Sequence, residues 1–513
     1  MHDYLAAIDQ GTTGTRCILF DLHGQVIASA YREHRQIFPQ PGWVEHDPLE
    51  IWSRTQEVIG EALRLSPRGR VLGVGVTNQR ETTVAWDVRS GRPLHNAIVW
   101  QDTRTEPDCR ALIEAGWQDD VRERTGLPIS TYFSATKIRW LLANVPEVRD
   151  LAASGHLRLG TIDAWVIWNL TGGPSTGAHV TDPTNASRTL LCNLDSLEWD
   201  PVLIERFGAP SAALPEIRPS AAAPYGHTSR DGAFGASIPV CGDLGDQQAA
   251  LVGQACFAPG EAKNTYGTGS FLLQHVGGTP AHSTHGLLGT VAYTLNEGRP
   301  SGGGAATQRD GRAYALEGSV AITGAAVQWL RDNLGLISNA AETDAIARQV
   351  PDSGGVYFVP AFSGLFAPYW DMSARGAILG LTRFVTKAHV VRATLEAICF
   401  QSREVLDAMV ADSGKPVLVL KVDGGATGND FLMQLQADIL GVPVVRPVVR
   451  ETTSLGAAYA AGLGLGVFGS TTELRRLWRA DRTFEPTWDH ARRESALAGW
   501  KRAVERTRRW IQP

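Results

Sequence analysis

Residues 1–33 constrain the fold more than any other stretch, because two apolar runs, 4–9 and 15–21, flank the short turn Gln10-Gly11-Thr12-Thr13-Gly14, and a third follows over 25–33. Runs of that length across a glycine-rich turn pair as antiparallel hairpins. Successive backbone N–H groups in such a turn, with threonine hydroxyls beside them, form a concavity that suits phosphate, and Asp9 at the strand end offers a metal anchor. A Walker loop is excluded. That motif needs a lysine and a following helix, whereas here a second strand follows and the turn holds no lysine. Phosphate contacts would come from the backbone, Thr12, Thr13 and Arg16.

The stretch Ala262-Lys263-Asn264-Thr265-Tyr266-Gly267-Thr268-Gly269-Ser270-Phe271-Leu272-Leu273 echoes this pattern of strand, Gly/Thr turn and strand. A chain of 513 residues exceeds one compact core. The echo then predicts an α/β fold of two related domains with mixed sheets, 1–253 and 254–513, facing a central cleft. Asp47-Pro48 supplies an N-cap and a first-turn proline for a helix over 48–65. Strands are predicted over 71–77, 96–100 and 417–422, and helices over 324–334, 387–409 (closed by Gly414) and 429–440. Strands 71–77 and 96–100 end in Asn78-Gln79-Arg80-Glu81 and Gln101-Asp102, and ligands of open α/β sheets bind at strand carboxyl ends. After 417–422 comes Asp423-Gly424-Gly425-Ala426 and a helix N-terminus, a seat suited to a nucleotide.

Net charge of -5, with basic residues interspersed among acids, argues against nucleic-acid binding. The arginine-rich 475–509 stretch, broken by Asp481, Glu485, Asp489, Glu494 and Glu505, is expected to be a solvated helical surface. Six cysteines without a C-x-x-C pair indicate neither zinc nor redox chemistry, but buried thiols in a reducing cytoplasm. The first strand begins at once, leaving no signal-peptide pattern. No apolar run reaches the ~20 residues of a membrane span. A cytoplasmic protein without membrane insertion is therefore expected. Gly464-Leu465-Gly466-Val467-Phe468-Gly469 matches a dinucleotide fingerprint in letters only, because it trails a helical run over 454–463. His282 and His285 lie in a polar turn without neighbouring carboxylates, and 300–312 is expected to be a loop.

Four carboxylate groups remain: Asp9, Arg80-Glu81, Asp243 with Asp246, and Asp423 before two glycines. Each alone is explained as a turn former. Together they could supply the metal anchor, base, substrate contacts and nucleotide seat of phosphoryl transfer. Trp100, by spacing alone, is equally a core residue.

These segments resemble the glycerol-phosphorylating branch of the FGGY carbohydrate kinases, in the actin/hexokinase superfamily. The resemblance rests on 9–13, 41–48, Thr77-Asn78-Gln79-Arg80-Glu81-Thr82-Thr83, 179–182 with Asn185-Ala186-Ser187-Arg188, Gly245-Asp246-Gln247-Gln248, 264–269, Ala367-Pro368-Tyr369-Trp370-Asp371 and 376–396. It implies two RNase H-like domains and ATP-dependent, Mg²⁺-assisted phosphorylation of glycerol to sn-glycerol 3-phosphate. It further implies that Arg80, Glu81, Tyr132, Asp246 and Gln247 hold the glycerol hydroxyls, with Trp100 and Phe271 sandwiching the carbon chain. Asp246 would be the base and Asp9 would hold Mg²⁺ through water. Thr12, Thr13, Arg16 and Thr268 would embrace the phosphates of ATP or ADP. Gly324, Gln328, Gly425, Ala426 and position 430 would line the nucleotide. A homo-oligomer, dimer or tetramer, is the expected assembly.

Departures from the pattern are Asp430 where the family has Asn, and Ala143 where a polar residue is usual. Regulation by fructose bisphosphate or by histidine phosphorylation is not expected, since no cation follows Arg230 in 231–236 and position 233 is alanine. Other small polyols or dihydroxyacetone remain alternative substrates. A non-enzymatic nucleotide switch and a solute-binding module remain alternative functions.

Overall fold

The computed structural model describes residues 2–295 and 311–511. Most of the loop expected over 300–312 lies outside the described residues, and Arg312 already opens a strand.

β1 (His2–Gln10), β2 (Gly14–Phe20) and β3 (Val26–Glu33) form the expected antiparallel meander. Helix α1 (Pro48–Leu65) follows, capped by Asp47, whose carboxylate accepts from Leu49 N at 2.8 Å. Strand β4 (Gly69–Asn78) lies parallel to β1, and β6 (Pro239–Gly245) lies parallel to β4, while β5 (Ala221–His227) closes that edge. The sheet order is β5-β6-β4-β1-β2-β3. Helix α2 (Asp246–Gly253) leaves β6 directly.

The second sheet repeats this plan. It comprises β7 (Ala262–Tyr266), β8 (Ser270–Gly277), β9 (Leu288–Thr294), β10 (Arg312–Val320), β11 (Leu420–Asp423), β12 (Val444–Pro447) and β13 (Ala480–Phe484), in the order β9-β10-β8-β7-β11-β12-β13. The run β10-β8-β7-β11-β12 has the order and strand directions of β3-β2-β1-β4-β6, two antiparallel pairings followed by two parallel ones. The fold is therefore α/β with two sheet-containing domains of matching topology. Helices α3 (Gly324–Asp332), α4 (Lys387–Ser413) and α5 (Asp430–Leu440) flank the second sheet, and Gly414, at φ 63°, ends α4 as expected.

Helix α6 (Thr452–Gly464), although late in the chain, packs on the first sheet and on α2. Small residues permit this. A methyl on Gly75, Gly253 or Gly456 would fall onto the carbonyl of Ala457, Thr452 or Ala249 respectively. Because α6 precedes 464–469, the dinucleotide reading of that glycine run fails for the expected structural reason.

Two strands are shorter than expected. Only Ala97–Ile98 pairs within 96–100, and β11 starts at Leu420, where its N–H first reaches the Pro443 carbonyl, leaving Leu418 exposed. The 475–509 stretch is not merely a solvated surface. It supplies the edge strand β13 and α7 (His490–Glu505), whose buried Trp500 stacks on Phe400 with ring centroids 5.3 Å apart. All six cysteines are buried and free. No helix among the described residues is long and apolar enough to cross a membrane.

Asp243 and Asp246 part company at the end of β6. Asp246 begins α2, whereas Asp243 is fully buried, with the Asp163 carboxyl beside its own. Burial, with the charges of Asp163 and Asp182 beside it, pushes Asp243 well above the usual carboxylate range. Burial raises Asp182 to about 7, opposed by hydrogen bonds that include Ser220. Raised folded-state values favour the protonated form, so their contribution to stability is complete below the unfolded value of about 3.9 and is lost as pH rises through the folded ones. Melting temperature should therefore fall as pH rises from 5 to 9, and Asp243→Asn should flatten that slope in thermal melts. Equal slopes for the two proteins would contradict this assignment.

Candidate active site

Strand register gathers the predicted residues. Gln10 pairs with Asn78, and Asn78 with Gly245, so β1, β4 and β6 end at one level. The turn 11–13, the segment Gln79-Arg80-Glu81 and the Asp246-Gln247 helix start all leave from that rim. In the second sheet Thr265 pairs with Asp423, so the Thr268 turn and Gly425-Ala426 leave from the matching rim.

The first turn is braced from behind. The Gly11 carbonyl accepts from Gln10 Nε2 at 2.8 Å and Gln79 Nε2 at 3.2 Å, and the Thr12 carbonyl accepts from Gln36 Nε2 at 2.9 Å. Drawing these carbonyls backward leaves the Thr12 and Thr13 hydroxyls at the rim, where Trp100 Nε1 donates to Thr12 Oγ1 at 2.9 Å. His46, which contacts both Gln36 and Gln79, is held neutral because burial pushes it down to about 3. Arg16 pairs with Glu451 at the foot of α6 and lies over the Tyr31 ring. Asp9 accepts from Ser454 Oγ at 3.1 Å, on the same helix. Burial raises Asp9 to about 6, with Arg16 opposing and Asp246 and Glu451 adding to the rise. A buried carboxylate that carries a second carboxylate in its field is a fitting oxygen ligand for a hard cation.

Beside this turn lies a chain of buried charges. Glu81 has φ 63°, an uncommon conformation for a non-glycine residue. Ser134 Oγ and Thr83 Oγ1 each donate to its carbonyl at 3.1 Å and hold it there. Arg80 Nε meets Asp246 Oδ1 at 3.0 Å, and the far end of its guanidinium grips Glu317 of β10. Arg188 donates through Nε to Glu81 Oε1 at 2.7 Å and through NH2 to Glu317 Oε1 at 3.0 Å. Asp246 also accepts from Gln247 N at 2.8 Å on Oδ1 and from Gln247 Nε2 at 3.2 Å on Oδ2. Lys263 donates to the Gln247 side-chain oxygen. Tyr132 meets Trp100 edge to face at 5.4 Å, and Phe271 lies 6.0 Å from the Arg80 guanidinium. Trp100 is thus a rim residue with a polar contact, not a core one.

On the second rim Gly324 N donates to the Gly267 carbonyl at 3.1 Å, and Thr268 O accepts from Thr323 N and Ala325 N, each at 3.0 Å. Gly424, at φ 89°, sits where a side chain would strike the Tyr266 carbonyl, while Gly425 faces open space. Gln328 is exposed on α3. Asp430 is tied to Arg446 at 2.8 Å and to Arg482, which engage both of its carboxylate oxygens, and Asn429 caps α5 through Leu432 N at 2.9 Å. Asp423 is a tie between elements, accepting from Gln254 Nε2 at 2.9 Å and Thr452 Oγ1 at 2.7 Å. His285 does have a carboxylate neighbour, which the sequence reading missed: Asp412 at 2.7 Å.

Arg188, Glu317, Lys263, Gln248 and Ser454 were not singled out as site residues. Glu317 carries a charge in the largely apolar run 313–320, and that mismatch was the available signal, whereas Lys263, beside Asn264 and Thr265, gave none. Arg188 stood inside a recognised segment without a role.

Sequence comparison decides the family. The FGGY family of carbohydrate kinases matches through its N-terminal domain over residues 4–253 and its C-terminal domain over 262–465. This chain belongs to the FGGY carbohydrate kinases. Among curated FGGY relatives, the glycerol kinase of Mycobacterium tuberculosis (strain H37Rv) is 57% identical over 99% of this chain and 97% of its own. That of Saccharopolyspora erythraea is 56% identical over the full length of both. The crystal structure of Plasmodium falciparum glycerol kinase with ADP superposes with a TM-score of 0.91 at 38% identity, covering 100% of this chain and 99% of that one.

Proposed function

We propose that this FGGY kinase transfers the γ-phosphoryl group of ATP to glycerol, giving sn-glycerol 3-phosphate, with Asp246 as general base. The reading is carried by Asp246. Its Oδ1 is occupied by Arg80 and Gln247, while Oδ2 has one long hydrogen bond, and the Asp246 side chain is 31% exposed. Oδ2 would accept the proton of an attacking terminal hydroxyl. Full-length identity to glycerol kinases supports the choice of substrate, and the polar surroundings support it physically. A small triol offers little apolar surface, so discrimination must come from buried groups left unpaired in its absence.

Arg80, Glu81, Tyr132 and Gln247 would meet the glycerol hydroxyls, with Trp100 and Phe271 on either side of the carbon chain. Thr12, Thr13, Arg16 and Thr268 would hold the phosphates in line, and Gly324, Gln328, Gly425 and Ala426 the nucleoside. Asp430, engaged by two arginines, would act on that wall only through them. Mg²⁺, carried with ATP and held by Asp9 through water, would neutralise charge on the phosphate oxygens. Residues 1–253 would thus form the glycerol and phosphate side and 254–513 the nucleotide side of a cytoplasmic homo-oligomer. Closing the halves would exclude water, the competing acceptor.

Asp246→Asn should lower kcat by about 100- to 10,000-fold while ADP binding by titration calorimetry stays within twofold. Near-normal turnover would remove Asp246 as the base. Glu81→Gln should raise the glycerol KM roughly tenfold, as expected for a charged hydrogen bond lost from a buried site, without changing the KM for ATP. An unchanged glycerol KM would take Glu81 out of the substrate site.

A further inference from the structure

The buried charges beside Asp246 form one continuous alternation: Asp246, Arg80, Glu317, Arg188, Glu81. Its centre comes from the other sheet. Glu317 sits in β10 opposite Leu273 of β8 and Leu288 of β9, and its side chain is wholly buried. Oε1 accepts from Arg80 NH2 at 3.1 Å and Arg188 NH2 at 3.0 Å, and Oε2 accepts from Arg80 NH1. Two guanidinium groups on one carboxylate outweigh burial and hold Glu317 down to about 2.

A donor count shows what this arrangement does. A guanidinium has five N–H donors. In Arg80, NH1 serves Glu317 and Gln248 (3.3 Å), one NH2 hydrogen serves Glu317, and Nε faces Asp246 Oδ1 across a 3.0 Å ion pair. One NH2 hydrogen remains. Glu81 Oε1 is taken by Arg188, while no described residue donates a hydrogen bond to Oε2. Arg188 NH1 is also buried without a hydrogen-bond partner among the described residues, so the free donors and the free acceptor are set by arginines that Glu317 itself orients. Arg80 fixes the base on one side and Arg188 fixes Glu81 on the other.

We propose that Glu317 is the positioning residue of the acceptor site: held in the second sheet, it orients Arg80 and Arg188 together and so sets the spacing between the base Asp246 and the hydroxyl-binding Glu81. The proposal rests on the glycerol-kinase reading. It predicts that recognition of the acceptor, located on the first sheet, depends on a side chain of the second. The bidentate fork matters as much as the charge, since a shared planar carboxylate fixes both guanidinium planes at once.

Glu317→Gln tests this, because it keeps the shape and removes the charge. In the full-length enzyme it should raise the glycerol KM by roughly tenfold or more and leave the ATP KM within twofold. It should also shrink the preference for glycerol over propane-1,2-diol, measured as the ratio of kcat/KM values, because a misplaced Glu81 no longer distinguishes the third hydroxyl. A loss of folded protein alone would lower both kcat values together and leave that ratio and both KM values intact. Unchanged KM and unchanged diol preference would overturn the proposal. If Glu317→Gln does not fold, Arg188→Lys, which keeps the charge but loses the fork, must show the same rise in glycerol KM and the same loss of preference; wild-type values would overturn the proposal. Should the unmutated enzyme itself show no glycerol-dependent ADP formation, the underlying reading fails instead, whatever the variants do.

Discussion

Two arginines and two glutamates removed from water hold this structure to one arrangement. Arg80, Glu81, Arg188 and Glu317 are each at most 3% exposed. Ions so buried are tolerated only when every one is paired, and leaving one partner out costs more than the pair contributes. Arg80 also pairs with Asp246 and Arg188 with Glu81, but the guanidinium partners of Glu317 both come from the first half of the chain. Arg80, Glu81 and Arg188 come from residues before 254 and Glu317 from β10, so this charge cluster is complete only when both halves are folded and docked. The same logic extends along the rim, where Asp9 and Arg16 in the first hairpin are tied to Ser454 and Glu451 of α6.

The backbone supplies the frame for these charges. Three parallel strands ending at one level place the 11–13 turn, the Arg80-Glu81 segment and the α2 start side by side, and the repeated topology gives the second sheet an equivalent rim. Glycines at 75, 253 and 456 let α6 approach the first sheet closely enough to meet Asp9. Burial then sets the protonation states: it keeps His46 neutral behind the turn and Asp9 near 6 at its front.

Much of the fold was legible from local chemistry. Asp47-Pro48 marks the start of α1, Gly414 the end of α4, and the Gly/Thr turns mark both hairpins, because caps and tight turns depend on neighbours within a few residues. What escaped depends on distant partners. Nothing near position 317 reveals that its carboxylate meets arginines 237 and 129 residues earlier. Asp243 and Asp246 read as one acidic cluster, yet the strand-to-helix change at Gly245 sends the first into the core and the second to the rim. Asp430 departs from the family's Asn in sequence, but nothing nearby shows that Arg446 and Arg482, from β12 and β13, hold its carboxylate.

The most direct measurement is of ADP and glycerol 3-phosphate formed by the purified protein from ATP and Mg²⁺, with and without glycerol. Equal molar amounts of the two products, appearing only when glycerol is present, are expected. ADP released at the same rate without glycerol would contradict the account, because the site would then be an ATPase whose buried charges serve no acceptor.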